Sequence, residues 1–134
     1  MANRILIIDD DTDVILVLST VLQDQGYDVI SAQDGITGLD MVKSERPDLI
    51  LLDLMMPEKS GISLLQDIKK DKNLKEIPVI MVTGVSSETG IDLDSFLKRS
   101  TEKANESQAP RPDGYIQKPV DPAKLIKVIK EFLE

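Results

Sequence analysis

Asp53 is the residue of this sequence whose charge most needs an explanation. It ends the aliphatic stretch LILL (49–52), and the apolar residues Leu54, Met55 and Met56 follow it. A carboxylate that is buried and unpaired in such surroundings costs free energy, so Asp53 requires a compensating partner. A carboxylate held ionised by cations is also a nucleophile, and this makes Asp53 a candidate reactive group.

Other polar residues follow apolar stretches in the same way: Asp9 and Asp10 come after ILII (5–8), Thr83 after IMV, and Lys118 after YIQ. If the carboxylates converge, two of them at about 4 Å repel by roughly 4 kcal/mol at an effective dielectric constant near 20. A hard cation such as Mg²⁺, which prefers oxygen ligands, would neutralise them. Lys118 offers a point charge, and Thr83 offers a hydroxyl, to an anion at the same place.

This set of groups indicates phosphoryl transfer to a carboxylate. Asp53 is the candidate nucleophile, and Mg²⁺, Lys118 and Thr83 are the candidate groups that balance charge on the phosphoryl oxygens. Such chemistry depends on positioning and electrostatics, so the elements that place these residues decide whether the prediction holds.

Five short apolar segments predict the strands. They are RILIID (4–9), YDVISA (27–32), DLILLD (48–53), IPVIMVT (77–83) and GYIQK (114–118), and the second and fifth, being less apolar, are expected nearer the sheet edges.

Between the strands, apolar residues recur at helical spacing. Three stripes are expected to face a core: Val14, Leu18, Val21 and Leu22, ended by Gly26; Ile36, Leu39 and Val42, ended by Pro47; and Ile62, Leu65 and Ile68. The last helix should begin with Asp121 as N-cap and Pro122 at its first position, with Leu125, Ile129 and Phe132 on one face. Asp11 and Thr12 are expected to cap the first helix.

Strands that alternate with helices predict an α/β fold with a parallel sheet covered on both faces. In such sheets, binding sites lie at the carboxyl ends of the strands. Asp9, Asp10, Asp53, Thr83 and Lys118 all come at such ends, so we expect them to converge.

Composition excludes several classes of function. The chain has 134 residues, 41% of them apolar, which is enough for one domain with a hydrophobic core. It has no cysteine and no histidine, which excludes disulfides, thiolate sites and a histidine general base. The net charge of −8 argues against direct binding of nucleic acid. Without a signal-peptide core or an apolar run of roughly 20 residues, we expect a cytoplasmic protein that does not insert into membranes.

Four motifs, in order, carry a resemblance to a known family: ILIIDDD (5–11), PDLILLDLMMPEKSG (47–61), PVIMVTG (78–84) and GYIQKPVDP (114–122). The sequence resembles the receiver domain of two-component response regulators over essentially its whole length. The resemblance implies a flavodoxin-like doubly wound (βα)5 fold with strand order 2-1-3-4-5. It also implies a signalling domain, whose only chemistry is its own phosphorylation and dephosphorylation, rather than an enzyme.

The resemblance also implies roles for individual residues. Asp53 would accept a phosphoryl group from a histidine kinase or a phosphotransfer protein, and Thr83 and Lys118 would assist. Asp9, Asp10, Asp53 and the backbone carbonyl of Met55 would bind Mg²⁺, with Mn²⁺ as an alternative. Thr83 and Tyr115 would form a switch pair, and the Lys118–Pro119 peptide bond would be cis.

Two alternatives stay open. A phosphatase of the haloacid dehalogenase type uses similar groups, and DDDTD (9–13) half-resembles its motif, but Asp13 stands where that motif has Thr or Val. A pseudo-receiver would keep the fold as an interaction module without phosphorylation.

We expect residues 1–134 to form a single receiver domain with an unusual insertion. Thr83 and Lys118 are 35 positions apart, which leaves room for a helix and a long polar loop at about residues 86–113. This insertion is expected either to be a tolerated surface feature or to select an unusual downstream protein. A stand-alone receiver, monomeric or weakly dimeric, is the expected arrangement.

The apolar residues near the phosphoacceptor predict a long-lived phosphoryl group. Receivers that lose phosphate quickly tend to carry polar side chains two residues after the phosphoacceptor and two after the threonine, where this chain has Met55 and Val85. Met55→Asn should therefore speed the loss of phosphate, because an amide can orient the attacking water. The decay of phosphorylated protein by intact mass measures this, and an unchanged half-life would contradict it.

Overall fold

The computed structural model of the protein describes residues 3–54, 61–83 and 112–134. The strands are β1 (Arg4–Ile8), β2 (Asp28–Ala32), β3 (Leu49–Asp53), β4 (Val79–Thr83) and β5 (Gly114–Gln117). The helices are α1 (Thr12–Asp24), α2 (Gly35–Glu45), α3 (Gly61–Lys70) and α4 (Pro122–Leu133). All five predicted strands are confirmed, with ends shorter by one or two residues. The predicted helix and loop at about 86–113 lie almost entirely outside the described residues.

The strands form one parallel sheet in the order β2-β1-β3-β4-β5. The predicted flavodoxin-like order is confirmed, and β2 and β5 are its edge strands. Beyond Arg4, the residues of the central strands β1 and β3 have almost no exposed surface, as expected for strands covered on both faces.

Alternating side chains of the strands pack into two cores on opposite faces of the sheet. On one face, Leu6, Ile8, Ile50 and Leu52 pack with residues of α2 and α3. On the other face, Ile5, Ile7, Leu49 and Leu51 pack with residues of α1 and α4. The period of two along each strand thus sends neighbouring side chains to different cores, which explains why the strands read as continuous apolar runs.

The helix ends follow the capping residues in the sequence. Asp11 is the N-cap of α1 and accepts hydrogen bonds from the backbone N–H groups of Asp13 and Val14, whereas Thr12 is already helical. Asp121 caps α4 in the same way, with Pro122 inside the first turn. Gly26, after α1, has a φ of 90°, a conformation that favours glycine.

The predicted apolar stripe of α2 is wrong at one position. Val42 is buried and Leu39 is partly buried, but the side chain of Ile36 is 56% exposed. The reason is that the face of α2 that packs on the sheet contains glycines instead of Ile36. Gly35 and Gly38 are buried, and a Cβ on Gly38 would lie 2.8 Å from Cδ1 of Ile8. Phe132, predicted on the buried face of α4, is 38% exposed, while Leu125 and Ile129 are fully buried.

Asp113 fixes the start of β5 against the start of β4. Its backbone N–H donates to the Val79 carbonyl at 2.7 Å, and its carboxylate accepts from the Val79 N–H at 2.8 Å. The Lys69 ammonium donates to the same carboxylate at 2.8 Å and to the carbonyls of Lys75 and Ile77. These bonds set the register of β5 at the opposite end from the candidate site.

Tyr27 joins the start of β2 to the end of α4, and this contact predicts a pH dependence. Its hydroxyl donates to Glu134 Oε2 at 2.6 Å, and burial, followed by this hydrogen bond and the charge of Glu134, raises the pKa of Tyr27 to about 12 from 10.0. Because the pKa is higher in the folded state, the resulting stability is complete below pH 10 and is lost as the pH rises through 12. Denaturant unfolding and tyrosinate absorbance across this range measure the effect.

The chain has two tyrosines and no tryptophan, so each can be removed in turn. We expect Tyr27→Phe to abolish the late tyrosinate transition and to reduce the alkaline loss of stability, whereas Tyr115→Phe should keep both as in the wild type. Equal alkaline curves for the wild type and Tyr27→Phe would contradict this assignment.

Candidate functional site

The strand register brings the predicted acidic residues together. Ile8 pairs with Leu52, so Asp9, one residue beyond β1, lies level with Asp53 at the end of β3. The Asp9 N–H donates to the Ala32 carbonyl at 3.1 Å, which continues the pairing of β1 with β2 past the strand end. Asp10 follows directly, and α1 begins two residues later.

Asp9, Asp10 and Asp53 form an acidic cluster. One carboxylate oxygen from each lies within 4.8 Å of the others. Asp9 is 1% exposed and Asp53 is 5% exposed, while Asp10 faces solvent. Like charges at this separation repel strongly in a partly desolvated site, so the cluster requires positive charge nearby.

Lys118, which follows the edge strand β5, supplies part of that positive charge. Its Nζ lies 3.0 Å from Asp9 Oδ2 and 3.6 Å from Asp53 Oδ1. Burial alone lowers the pKa of the Lys118 ammonium, but hydrogen bonding and charge from Asp9 and Asp53 outweigh it, so the net pKa is raised. Lys118 therefore stays protonated between the two carboxylates. The Lys118–Pro119 peptide bond is cis, as the resemblance implied.

The carboxylate of Asp9 retains an unused acceptor. Its Oδ1 accepts a hydrogen bond from the Asp11 N–H at 2.9 Å. Its Oδ2 is buried, lies 3.0 Å from the Lys118 ammonium and has no further hydrogen-bond partner among the described residues. A carboxylate oxygen can accept more than one interaction, so Oδ2 keeps capacity for a second cationic partner.

The acidic cluster fits a hard divalent cation. Its three carboxylates and the Lys118 ammonium leave a formal charge of −2, the ligands are oxygens, and the buried Asp9 Oδ2 shares the Lys118 ammonium with Asp53. Oxygen-rich sites of this kind suit Mg²⁺, Mn²⁺ or Ca²⁺ rather than Zn²⁺. The cluster can thus hold a metal, with Asp9, Asp10 and Asp53 as ligands.

Three further predicted site residues are only partly described. Thr83 is the last residue of β4 and pairs with Gln117, one residue before Lys118, but its side chain lies outside what the structure describes. Tyr115 lies in β5 opposite Met81 and is 39% exposed. Met55, a predicted carbonyl ligand, lies outside the described residues. The switch pair and the carbonyl ligand stay predictions.

Gly61 was predicted only to help turn the chain away from the site, yet it lies directly against the main chain of Asp53. Its N–H donates to the Leu54 carbonyl at 3.0 Å, and it begins α3 directly against the end of β3. A glycine at a helix start has many possible roles, so the sequence carried no specific signal for this contact.

A family model for the response regulator receiver domain matches residues 5–130. The probable transcriptional regulator ycf27 of Porphyridium aerugineum is 36% identical over 98% of this chain, and this chain spans 48% of that protein. The polar-differentiation response regulator DivK of Brucella anthropi is 29% identical, with 99% of this chain and 98% of DivK covered. The chain therefore spans about half of one curated relative and nearly all of another.

A solved structure with similar architecture contains a metal. It is the receiver domain of a sensor histidine kinase from Pseudomonas aeruginosa, with a magnesium ion coordinated in its active site cleft. It matches with a TM-score of 0.78 and 26% identity, covering 98% of each chain. In the described part of the present chain, no helix is both long and apolar enough to cross a membrane.

The acidic cluster predicts stabilisation by a divalent cation. A metal that binds only the folded state adds about 2.7 kcal/mol to the free energy of unfolding at 100 times its Kd. We expect Mg²⁺ to raise the unfolding midpoint of the wild type, with Asp10→Asn losing most of that increase because it removes one charged ligand. Denaturant unfolding with and without Mg²⁺, at matched ionic strength, measures this.

Asp13→Asn is the matched control, since Asp13 is an exposed aspartate of the first turn of α1 and is not in the acidic cluster. It should respond to Mg²⁺ like the wild type. The metal site would be contradicted if NaCl stabilised the protein as much as MgCl₂, or if both variants lost the increase equally.

Proposed function

Since the chain belongs to the response regulator receiver family, we propose that it accepts a phosphoryl group on Asp53 in two-component signalling. The observation that carries this proposal is the meeting of buried Asp53 with Asp9 and Lys118 at the carboxyl end of the sheet. Receiver domains are signalling domains, and the chemistry proposed here is limited to phosphorylation and dephosphorylation of the chain itself.

In the proposed reaction, an Asp53 carboxylate oxygen attacks the phosphorus of a phosphohistidine. The new bond joins that oxygen to phosphorus, and the phosphorus–nitrogen bond breaks, leaving its electron pair on the imidazole of the donor. The product on this chain is an aspartyl phosphate. The low exposure of Asp53, 5%, limits the access of water to the carboxylate.

Lys118 is proposed to orient Asp53 before transfer and to neutralise the phosphoryl group afterwards. Its ammonium already lies 3.6 Å from Asp53 Oδ1, and ion pairing with Asp9 holds it at that position. A fixed cation beside the group that gains charge costs no reorganisation during the reaction. Thr83 is proposed to donate a hydrogen bond to the same phosphoryl group, supported by its place at the end of β4.

We propose Mg²⁺, with Mn²⁺ as an alternative, as the cation of the acidic cluster. Asp9, Asp10, Asp53 and the Met55 carbonyl are the proposed ligands. The cation would supply charge neutralisation for the phosphoryl oxygens. The fit of the donor set, and the magnesium ion in the Pseudomonas aeruginosa receiver domain, support this choice.

The proposed output is a change of protein–protein contacts. Thr83 and Tyr115 are the proposed switch pair, supported by their places on neighbouring strands: Thr83 ends β4, and Tyr115 lies in β5 opposite Met81, two residues before Thr83. The proposed partners are a histidine kinase or phosphotransfer protein upstream and a further protein downstream. We also propose that residues 1–134 form one receiver domain and that the insertion at about 86–113 affects the choice of downstream partner.

Phosphorylation with a small donor tests this function. We expect wild-type protein incubated with acetyl phosphate and Mg²⁺ to gain one phosphoryl group by intact mass, and peptide mapping to place it on Asp53. Asp53→Asn should abolish the gain, because an amide is a poor nucleophile, whereas Asp13→Asn should keep it.

A parallel incubation with a phosphate ester in place of acetyl phosphate separates the alternatives. Turnover of a phosphate ester without a stable adduct would indicate a phosphatase, and neither adduct nor turnover would indicate an interaction module. An adduct that persists in Asp53→Asn would contradict the assignment of the phosphoacceptor.

A further inference from the structure

Gly61 occupies a place where no side chain fits. A Cβ built on Gly61 would overlap the carbonyl oxygen of Asp53 and would lie 2.8 Å from Cα of Leu54 and 2.9 Å from the carbonyl carbon of Asp53. All three atoms belong to the main chain, so they cannot move aside as the end of a flexible side chain can.

Space, rather than backbone conformation, requires this glycine. Among the glycines that the structure describes, only Gly26 has a positive φ. The backbone conformation at position 61 would therefore also allow a residue with a side chain. What excludes a larger residue is the closeness of α3 to the main chain of Asp53 and Leu54.

Both sides of this contact are held firmly. Helix α3 is held by Leu64, Leu65 and Ile68, which are buried in the same core as Leu52 and Leu54. The Gly61 N–H also bonds to the Leu54 carbonyl at 3.0 Å. Because the helix cannot move away without opening that core, part of any displacement must fall on the main chain at Asp53.

We infer that Gly61 is a positioning residue for Asp53. Because Gly61 has no side chain, α3 can pack directly against the main chain of Asp53 and hold it where the carboxylate faces Lys118 and Asp9. This inference rests on the proposed phosphorylation of Asp53. The carboxylate lies 3.6 Å from the Lys118 ammonium and within 4.8 Å of the other acidic oxygens, so a shift of the main chain alters each of these distances.

Gly38 provides a matched control. It is also a buried glycine of a helix that packs on the same face of the sheet. A Cβ there would lie 2.8 Å from Cδ1 of Ile8, and the nearest atoms all belong to that side chain. Gly38→Ala therefore tests the general effect of alanine at a buried helix glycine without pressing on the main chain of Asp53.

The experiment compares wild type, Gly61→Ala and Gly38→Ala. Rates of phosphorylation by acetyl phosphate at saturating Mg²⁺ are expressed per folded protein, using circular dichroism and denaturant unfolding. We expect Gly61→Ala to be slower by roughly 10- to 100-fold, the effect typical of a misplaced reactive group, and Gly38→Ala to stay close to wild type.

A second readout does not depend on the reaction. In ¹H–¹⁵N spectra we expect the amide resonances of Asp53 and Leu54 to shift in Gly61→Ala and to stay in place in Gly38→Ala. If the wild type itself gains no phosphoryl group, the proposed function fails, while these spectra still test whether Gly61 places the main chain of Asp53.

Several results would overturn the inference. One is a Gly61→Ala protein that is phosphorylated as fast as Gly38→Ala, and another is a set of unshifted Asp53 and Leu54 resonances. If Gly61→Ala is unfolded, the assay is repeated in sucrose, which favours the compact state. A Gly61→Ala protein that stays unfolded in sucrose also overturns the inference, because Gly61 would then be required for folding rather than for the position of Asp53.

Discussion

The interaction on which this site depends is the repulsion among three carboxylates held at one end of a sheet. Asp9 and Asp53 are almost fully buried, and within residues 3–54, 61–83 and 112–134 one ammonium, that of Lys118, lies between them. One cation cannot balance three anions, so the folded protein carries a local excess of negative charge. That excess makes a divalent cation favourable there, and such a cation would offset the negative charge of the phosphoryl group in the proposed reaction. The same excess of negative charge therefore destabilises the metal-free fold and provides the cation site on which the proposed chemistry depends.

Parallel strand pairing is what keeps these charges together against their repulsion. The Ile8–Leu52 pair places Asp9 level with Asp53, and the Thr83–Gln117 pair places Lys118 one step beyond β5. The central strands β1 and β3 carry apolar side chains of both cores, so a slip in their register would move side chains of two cores at once. The free energy of core packing thus fixes the charged residues, which contribute little favourable energy of their own.

The sequence predicted the sheet well because apolar runs, capping aspartates and strand-end charges are local signals. The five strands, the Asp11 and Asp121 caps and the convergence of Asp9, Asp53 and Lys118 follow from such signals, whereas the strand order was implied by the resemblance to receiver domains. It failed at Ile36 because the closeness of α2 to the sheet is set by Gly38 against Ile8, a contact between distant residues. The contact of Gly61 with Asp53 was missed for the same reason. Spacing within one segment does not reveal which glycine faces another main chain.

The long connection between β4 and β5 raises the question of how Lys118 keeps its place when the preceding chain is unusual. The hydrogen bonds of Asp113 answer it. They join Asp113 to Val79 in both directions, and the Lys69 ammonium binds the same carboxylate, so β5 starts at a fixed point however long the connection is. Four residues of paired strand then carry the chain to Lys118. The position of the Lys118 ammonium beside Asp9 and Asp53 is therefore fixed through Asp113 and β5 rather than through the chain that precedes them.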